Sequence, residues 1–133
     1  EARITIVGRL GGPMPTYDIL TELALFIDST RLPDVPDGHP AQEERGRAVF
    51  VQAGCVVCHN SDQHTDRVAH TIRGVELDTP ALAGVAATPP YFHDGSAATL
   101  REVLLRSMDG SMGDTSGLSE AQLDDLEAYL RSL

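Results

Sequence analysis

An all-α fold is predicted by three observations. Four segments of the 133-residue chain space their apolar residues at helical intervals. In residues 1–16 only Ile4–Val7 looks strand-like. The two cysteines of the chain fall in one five-residue motif, Cys55-Val56-Val57-Cys58-His59, directly after the second helical segment.

Residues 1–16 read as an irregular arm, because Gly8, Gly11, Gly12, Pro13 and Pro15 interrupt any regular element. Residues 17–30 form an amphipathic helix, with Leu20, Leu23 and Ile27 at helical spacing and Phe26 beside them. Pro33, Pro36, Gly38 and Pro40 make residues 31–40 a linker. The chain is therefore divided into residues 1–40 (arm, extra helix and linker) and a main domain over 41–133.

In the main domain a second helix is expected from Ala41 to Cys55, with Gly46 and Phe50 four apart on one face. Residues 60–79 are polar and turn-rich. Pro80, Gly84, Pro89 and Pro90 keep residues 80–98 mostly loop, with a short turn at Pro80–Val85. A third helix starting near Ser96–Thr99 carries Leu100, Val103, Leu104 and Met108 and is broken by Gly110 and Gly113. The last helix begins at Ser119, where Gln122 three residues on completes a capping box, and it presents Leu123, Leu126, Tyr129 and Leu130.

Residues 20–29 align without gaps on residues 123–132: Leu20 with Leu123, Leu23 with Leu126, Phe26 with Tyr129, Ile27 with Leu130. Two amphipathic helices resemble each other in any case. The sharper reading makes helix 17–30 the end of a preceding domain of the same kind.

Cys-x-x-Cys-His is the attachment signature of c-type haem. Each cysteine sulfur adds to one vinyl group, and the histidine that follows points its imidazole at the iron from the same side. The alternatives are a zinc site, which lacks a second cysteine pair, and a thioredoxin-like redox pair, which lacks its strand-helix context. One covalent haem c is expected, held by Cys55 and Cys58, with His59 as its proximal iron ligand.

The net charge of −10 argues against nucleic acid or anionic lipid as a partner; it fits a redox protein with a basic docking surface, and equally an acidic surface that serves solubility. No apolar run approaches the roughly 20 residues of a membrane span. The chain begins Glu-Ala-Arg, with neither methionine nor signal peptide. Covalent haem is attached outside the cytoplasm in bacteria. The chain is therefore expected to be periplasmic or otherwise extracytoplasmic, as a mature product or a fragment.

The order of elements, a helix with Gly46 and Phe50, the haem motif, a proline loop, a methionine and a closing helix with Tyr129, resembles the class I cytochrome c fold. The segments Asp-Thr-Pro-Ala-Leu-Ala-Gly-Val (78–85) and Thr-Pro-Pro-Tyr-Phe-His-Asp-Gly-Ser-Ala-Ala-Thr-Leu-Arg-Glu-Val-Leu (88–104) resemble the C-terminal haem domain of the bacterial di-haem cytochrome c peroxidase and MauG superfamily. The likeness covers about residues 43–133. It implies that the Pro80 carbonyl accepts a hydrogen bond from His59, fixing its tautomer. It also implies that Gly46 and Phe50 pack on Leu126 and Tyr129, and that the carbonyls of Thr88 and Pro90 lie where the di-haem enzymes bind calcium. The peroxidases need two haem motifs and this chain has one, so a second haem domain would have to lie elsewhere.

The sixth ligand decides the chemistry. Methionine sulfur gives a low-spin haem of raised potential suited to electron transfer. The candidates are Met14, Met108, Met112, His39, His64, His70 and His93. Met14 lies in the arm. Met108 continues the stripe of Leu100 and Leu104 and reads equally as core; the peroxidase pattern counted from Thr99 falls one residue earlier, on Ser107. Met112 lies in the loop ahead of the closing helix, where cytochrome c methionines sit, and is favoured over Met108. His93 is expected to be hydrogen-bonded near the haem edge or at a domain interface, and His70 resembles a histidine of related domains. His39 and His64 are expected in solvent, and Arg73 either pairs with a propionate or lies on the surface. The leading expectation is an electron-transfer c-type cytochrome domain. The alternative is the electron-input domain of a di-haem peroxidase-like or MauG-like enzyme.

Overall fold

The structure is a computed structural model that describes residues 2–30 and 38–133. The chain divides into two compact units, residues 1–32 and 33–133. Most of the expected linker, residues 31–37, lies outside the described residues.

The first unit contains two helical pieces. Helix α1 (Ala2–Ile4) widens into a π-type turn over Thr5–Arg9. The strand character expected at Ile4–Val7 is not realised. The one sheet among the described residues lies elsewhere, and a lone strand would leave its backbone groups unpaired. The helical turns pair them locally, Leu10 N–H to Thr5 O at 3.0 Å and Gly12 N–H to Ile6 O at 2.8 Å. Helix α2 (Tyr17–Ser29) follows the expected span, and its N-cap Thr16 accepts a hydrogen bond from the Ile19 N–H.

The second unit is built on α3 (Pro40–Gln52), α4 (Leu100–Arg106) and α5 (Glu120–Arg131). Pro40 opens α3 at a position where a missing N–H costs nothing. Three residues before the expected end, α3 stops at Gln52, because Gly54 turns into the left-handed region at φ 79°. Thr99 caps α4 by accepting from the Glu102 N–H. The capping box expected at Ser119 and Gln122 is present in both directions.

Val49 and Phe50 from α3, Leu100 and Leu104 from α4, and Leu123, Leu126 and Leu130 from α5 form the core. Leu126 has no exposed surface. Helices α3 and α5 meet at Gly46, where an added β-carbon would lie 1.9 Å from the Asp125 carbonyl oxygen. Arg45 ties the same two helices together, donating through Nε and Nη2 to both Asp125 carboxylate oxygens at 2.8 and 2.9 Å.

The polar stretch after the motif holds a hairpin that the sequence pattern does not announce. Strands β1 (Ala69–Ile72) and β2 (Val75–Asp78) pair antiparallel, with His70 opposite Leu77 and Ile72 opposite Val75. Their tight turn places Arg73 and Gly74 at φ 51° and 82°. Such a turn normally shows itself by Asn-Gly or Asp-Gly. Here an arginine occupies the first position, held by bonds of its guanidinium to the Asp109 carboxylate at 2.7 Å and the Arg106 carbonyl at 2.6 Å.

Candidate haem site

The motif sits on a tight turn, Cys55–Val57, that follows Gly54 at the end of α3. Both cysteines are free thiols and both are half-buried. Burial pushes the Cys55 thiol up to about 11. Burial, followed by the negative charge of Asp66, also raises the Cys58 thiol. Both therefore rest as neutral thiols.

His59 is half-buried beside Phe50, with ring centroids 6.4 Å apart. Burial lowers its pKa and keeps the ring neutral, outweighing its hydrogen bond to the His64 carbonyl. That bond, from Nδ1 to the His64 oxygen, is 2.7 Å long. It puts the ring proton on Nδ1 and leaves the Nε2 lone pair for iron. The carbonyl expected from Pro80 is thus supplied by His64. The physical reason is local: a Ser61–His64 turn, closed by a 2.8 Å backbone bond, brings His64 to φ 54° within reach of the histidine five residues before it.

His64 is also not in solvent. Its ring packs edge-on against Phe50 at 6.1 Å, and its Nε2 lies 3.0 Å from the Tyr129 hydroxyl. Phe50 and Tyr129 are themselves in edge contact at 5.4 Å. The expected packing of Gly46 and Phe50 on Leu126 and Tyr129 is therefore present.

The loop between α4 and α5 folds back onto the motif. A β-carbon on Gly113 would stand 2.8 Å from the Ala53 carbonyl oxygen and 3.0 Å from Cys55 Sγ. Asp114 N–H donates to the Ala53 carbonyl at 2.8 Å. Thr115 is buried, its hydroxyl donating to the Leu104 carbonyl at 2.6 Å. Met112, next to Gly113, is half-buried. Met108 is 47% exposed, on a single 3-10 turn after α4, so it does not belong to the core. Ser107 is buried and donates to the Val103 carbonyl.

The remaining candidates are placed as follows. His70 pairs with Asp66 at 2.7 Å, and Cys58 Sγ offers a third ligand atom, the three all lying within 4.8 Å of one another. Arg73 is engaged with Asp109 and stacks over Phe92, its guanidinium 5.7 Å from the ring centroid. His39 and His93 are exposed, and so are Thr88, Pro90 and Pro80. Met14 belongs to the first unit and accepts from Arg3 at 3.3 Å.

The donor set fits a covalent haem. Two unpaired thiols three residues apart and a neutral imidazole with Nε2 free of its proton stand together beside an apolar core against which Leu82, Val85 and Tyr91 pack.

A family model described as Cytochrome c matches residues 43–133. The hydrazine synthase subunit gamma of Kuenenia stuttgartiensis is 43% identical over 60 residues, which take in 44% of this chain and 17% of that protein. The methylamine utilization protein MauG of Methylorubrum extorquens is 30% identical over 122 residues, 70% of this chain and 35% of that protein. The structure of K. stuttgartiensis hydrazine synthase under xenon pressure superposes with a TM-score of 0.72 at 21% identity, over 99% of this chain and 60% of that one. The chain spans about a third or less of the curated relatives it matches. Among the described residues no helix is long and apolar enough to cross a membrane. The chain belongs to the cytochrome c family, and it carries a haem electron-transfer domain.

Proposed function

We propose that residues 38–133 would hold one haem c, tethered through Cys55 and Cys58, with His59 Nε2 and the Met112 sulfur as its iron ligands. The haem supplies a one-electron iron couple; the chain's residues set its environment. His59 is held neutral by burial and oriented by the His64 carbonyl. The 110–115 loop, seated on the motif through Gly113, carries Met112, whose sulfur would be the second iron ligand. The observation that carries this reading is the seating of Gly113 on Cys55. It pins the loop next to Met112 against the haem motif, whereas Met108 is largely exposed. Methionine ligation suits electron transfer rather than bond-making chemistry. The domain would act outside the cytoplasm, where haem is attached, and its −10 charge would dock a basic redox partner.

The intact mass of the native chain tests the cofactor, and a redox titration tests the function. One haem increment and a single one-electron wave are expected. Loss of the increment in Cys55→Ser,Cys58→Ser is the control. A chain of unmodified mass contradicts the reading.

The likeness to MauG and to a hydrazine synthase subunit favours a second reading, in which this domain feeds electrons to another haem domain on the same or a neighbouring chain. The alignment of α2 with α5 supports it, as would calcium at the carbonyls of Thr88 and Pro90. A native protein of this length with one haem and no haem-bearing partner would remove it.

A further inference from the structure

We infer that Tyr129 is a positioning residue for the proximal ligand, acting through the imidazole of His64. The inference rests on His59 being that ligand, as proposed above.

His64 joins two contacts. Its carbonyl takes the Nδ1 proton of His59 at 2.7 Å, while its ring nitrogen Nε2 meets the Tyr129 hydroxyl at 3.0 Å. The backbone between them is at φ 54°, a region that most L-residues avoid. A residue in this conformation stays there only if its surroundings hold it. The Ser61 carbonyl holds the backbone through the His64 N–H at 2.8 Å. The ring is held by Phe50 at 6.1 Å and Tyr129 at 6.2 Å, with the hydroxyl bond fixing its rotation.

Tyr129 is in turn fixed by the α3–α5 contact at Gly46, since a Gly46 β-carbon would lie 2.7 Å from the Tyr129 Cβ. The line from α5 to the iron therefore runs Tyr129 hydroxyl, His64 ring, His64 backbone, His59 Nδ1. A carbonyl held firmly on Nδ1 makes the ligand more basic and favours ferric iron. Releasing the carbonyl weakens that donation and raises the midpoint potential.

Tyr129→Phe in the holoprotein removes the hydroxyl and keeps the ring against Phe50. His64→Asn keeps a residue tolerant of positive φ but shortens the side chain, so that it no longer reaches Tyr129. Each variant should raise the reduced-to-oxidised ratio at fixed applied potential by up to about tenfold, or about 59 mV for one electron. Each should also alter the electron paramagnetic resonance signature of the ferric haem. The double variant should shift no further than His64→Asn alone, because both changes cut one line. A histidine-ligated wild type whose potential Tyr129→Phe leaves unmoved, even with a lower melting temperature, overturns the inference alone. A wild-type haem without histidine ligation overturns the ligand assignment and the inference with it.

Discussion

Gly46 and Tyr129 are packed so closely that a β-carbon on the glycine would stand 2.7 Å from the tyrosine Cβ. The Asp125 carbonyl would be closer still, at 1.9 Å, and it is backbone that cannot swing away. Alanine is a better helix former than glycine by about 1 kcal/mol. Overpacking here should outweigh that gain, so Gly46→Ala is expected to destabilise the second unit by about 1–3 kcal/mol. Urea unfolding measures it, and an unchanged or higher midpoint would mean that α3 and α5 do not meet this way.

Gly113 combines a positive φ of 102° with contact to Ala53 and Cys55. Alanine at this position is strained in its backbone and meets the Ala53 carbonyl at 2.8 Å. Gly113→Ala should lift the 110–115 loop off the haem motif. Its expected sign is partial loss of methionine ligation in the ferric spectrum, with the haem still covalently bound. A spectrum identical to wild type would separate the loop from the ligand.

Thr115 is 1% exposed, and its hydroxyl donates to the Leu104 carbonyl at 2.6 Å. Thr115→Val keeps the shape and removes this bond, leaving only the Ser107 N–H on that carbonyl, at a cost of about 0.5–1.5 kcal/mol. Thermal or urea unfolding should show the loss, and Thr115→Ser should recover most of it.

The Asp66 carboxylate accepts the Val68 N–H at 3.0 Å and pairs with His70 at 2.7 Å. The Val68 bond first, and then those from His70 and Thr79, hold its pKa down to about 2. Because the folded value lies below the ordinary 3.8, the unfolded chain binds the proton more readily. The contribution is complete above the ordinary value and is lost as pH falls toward the folded one. The difference in melting temperature between wild type and Asp66→Asn should be constant above about pH 5 and shrink toward about pH 2. A difference that grows on acidification would contradict this.

The helical frame was legible because its signals are local. Ser119 and Gln122 announce a capping box, and Gly46 and Phe50 share the face that the structure buries. The haem motif was legible for the same reason, since its chemistry fits in five consecutive residues. What stayed hidden depends on tertiary contact. The turn at Arg73 lacks the usual asparagine or aspartate, and its arginine is held by Asp109, 36 residues away. His64 read as a solvated histidine because nothing nearby in sequence reveals Tyr129 as its partner, 65 residues on. Family resemblance points to Pro80 as the acceptor for His59, whereas a positive-φ turn delivers the carbonyl of His64. The apolar run Ile4–Val7 had strand propensity without a strand to pair with, and the backbone closed on itself instead.

The most direct test of a closed His59–Met112 electron-transfer site is the ferric absorption spectrum of the holoprotein beside Met112→Ala and Met108→Ala. The wild type and Met108→Ala should show a low-spin haem with the weak long-wavelength methionine-to-iron band, and Met112→Ala should lose that band and turn high-spin. A high-spin wild type, or a band that survives Met112→Ala and vanishes in Met108→Ala, would contradict the assignment.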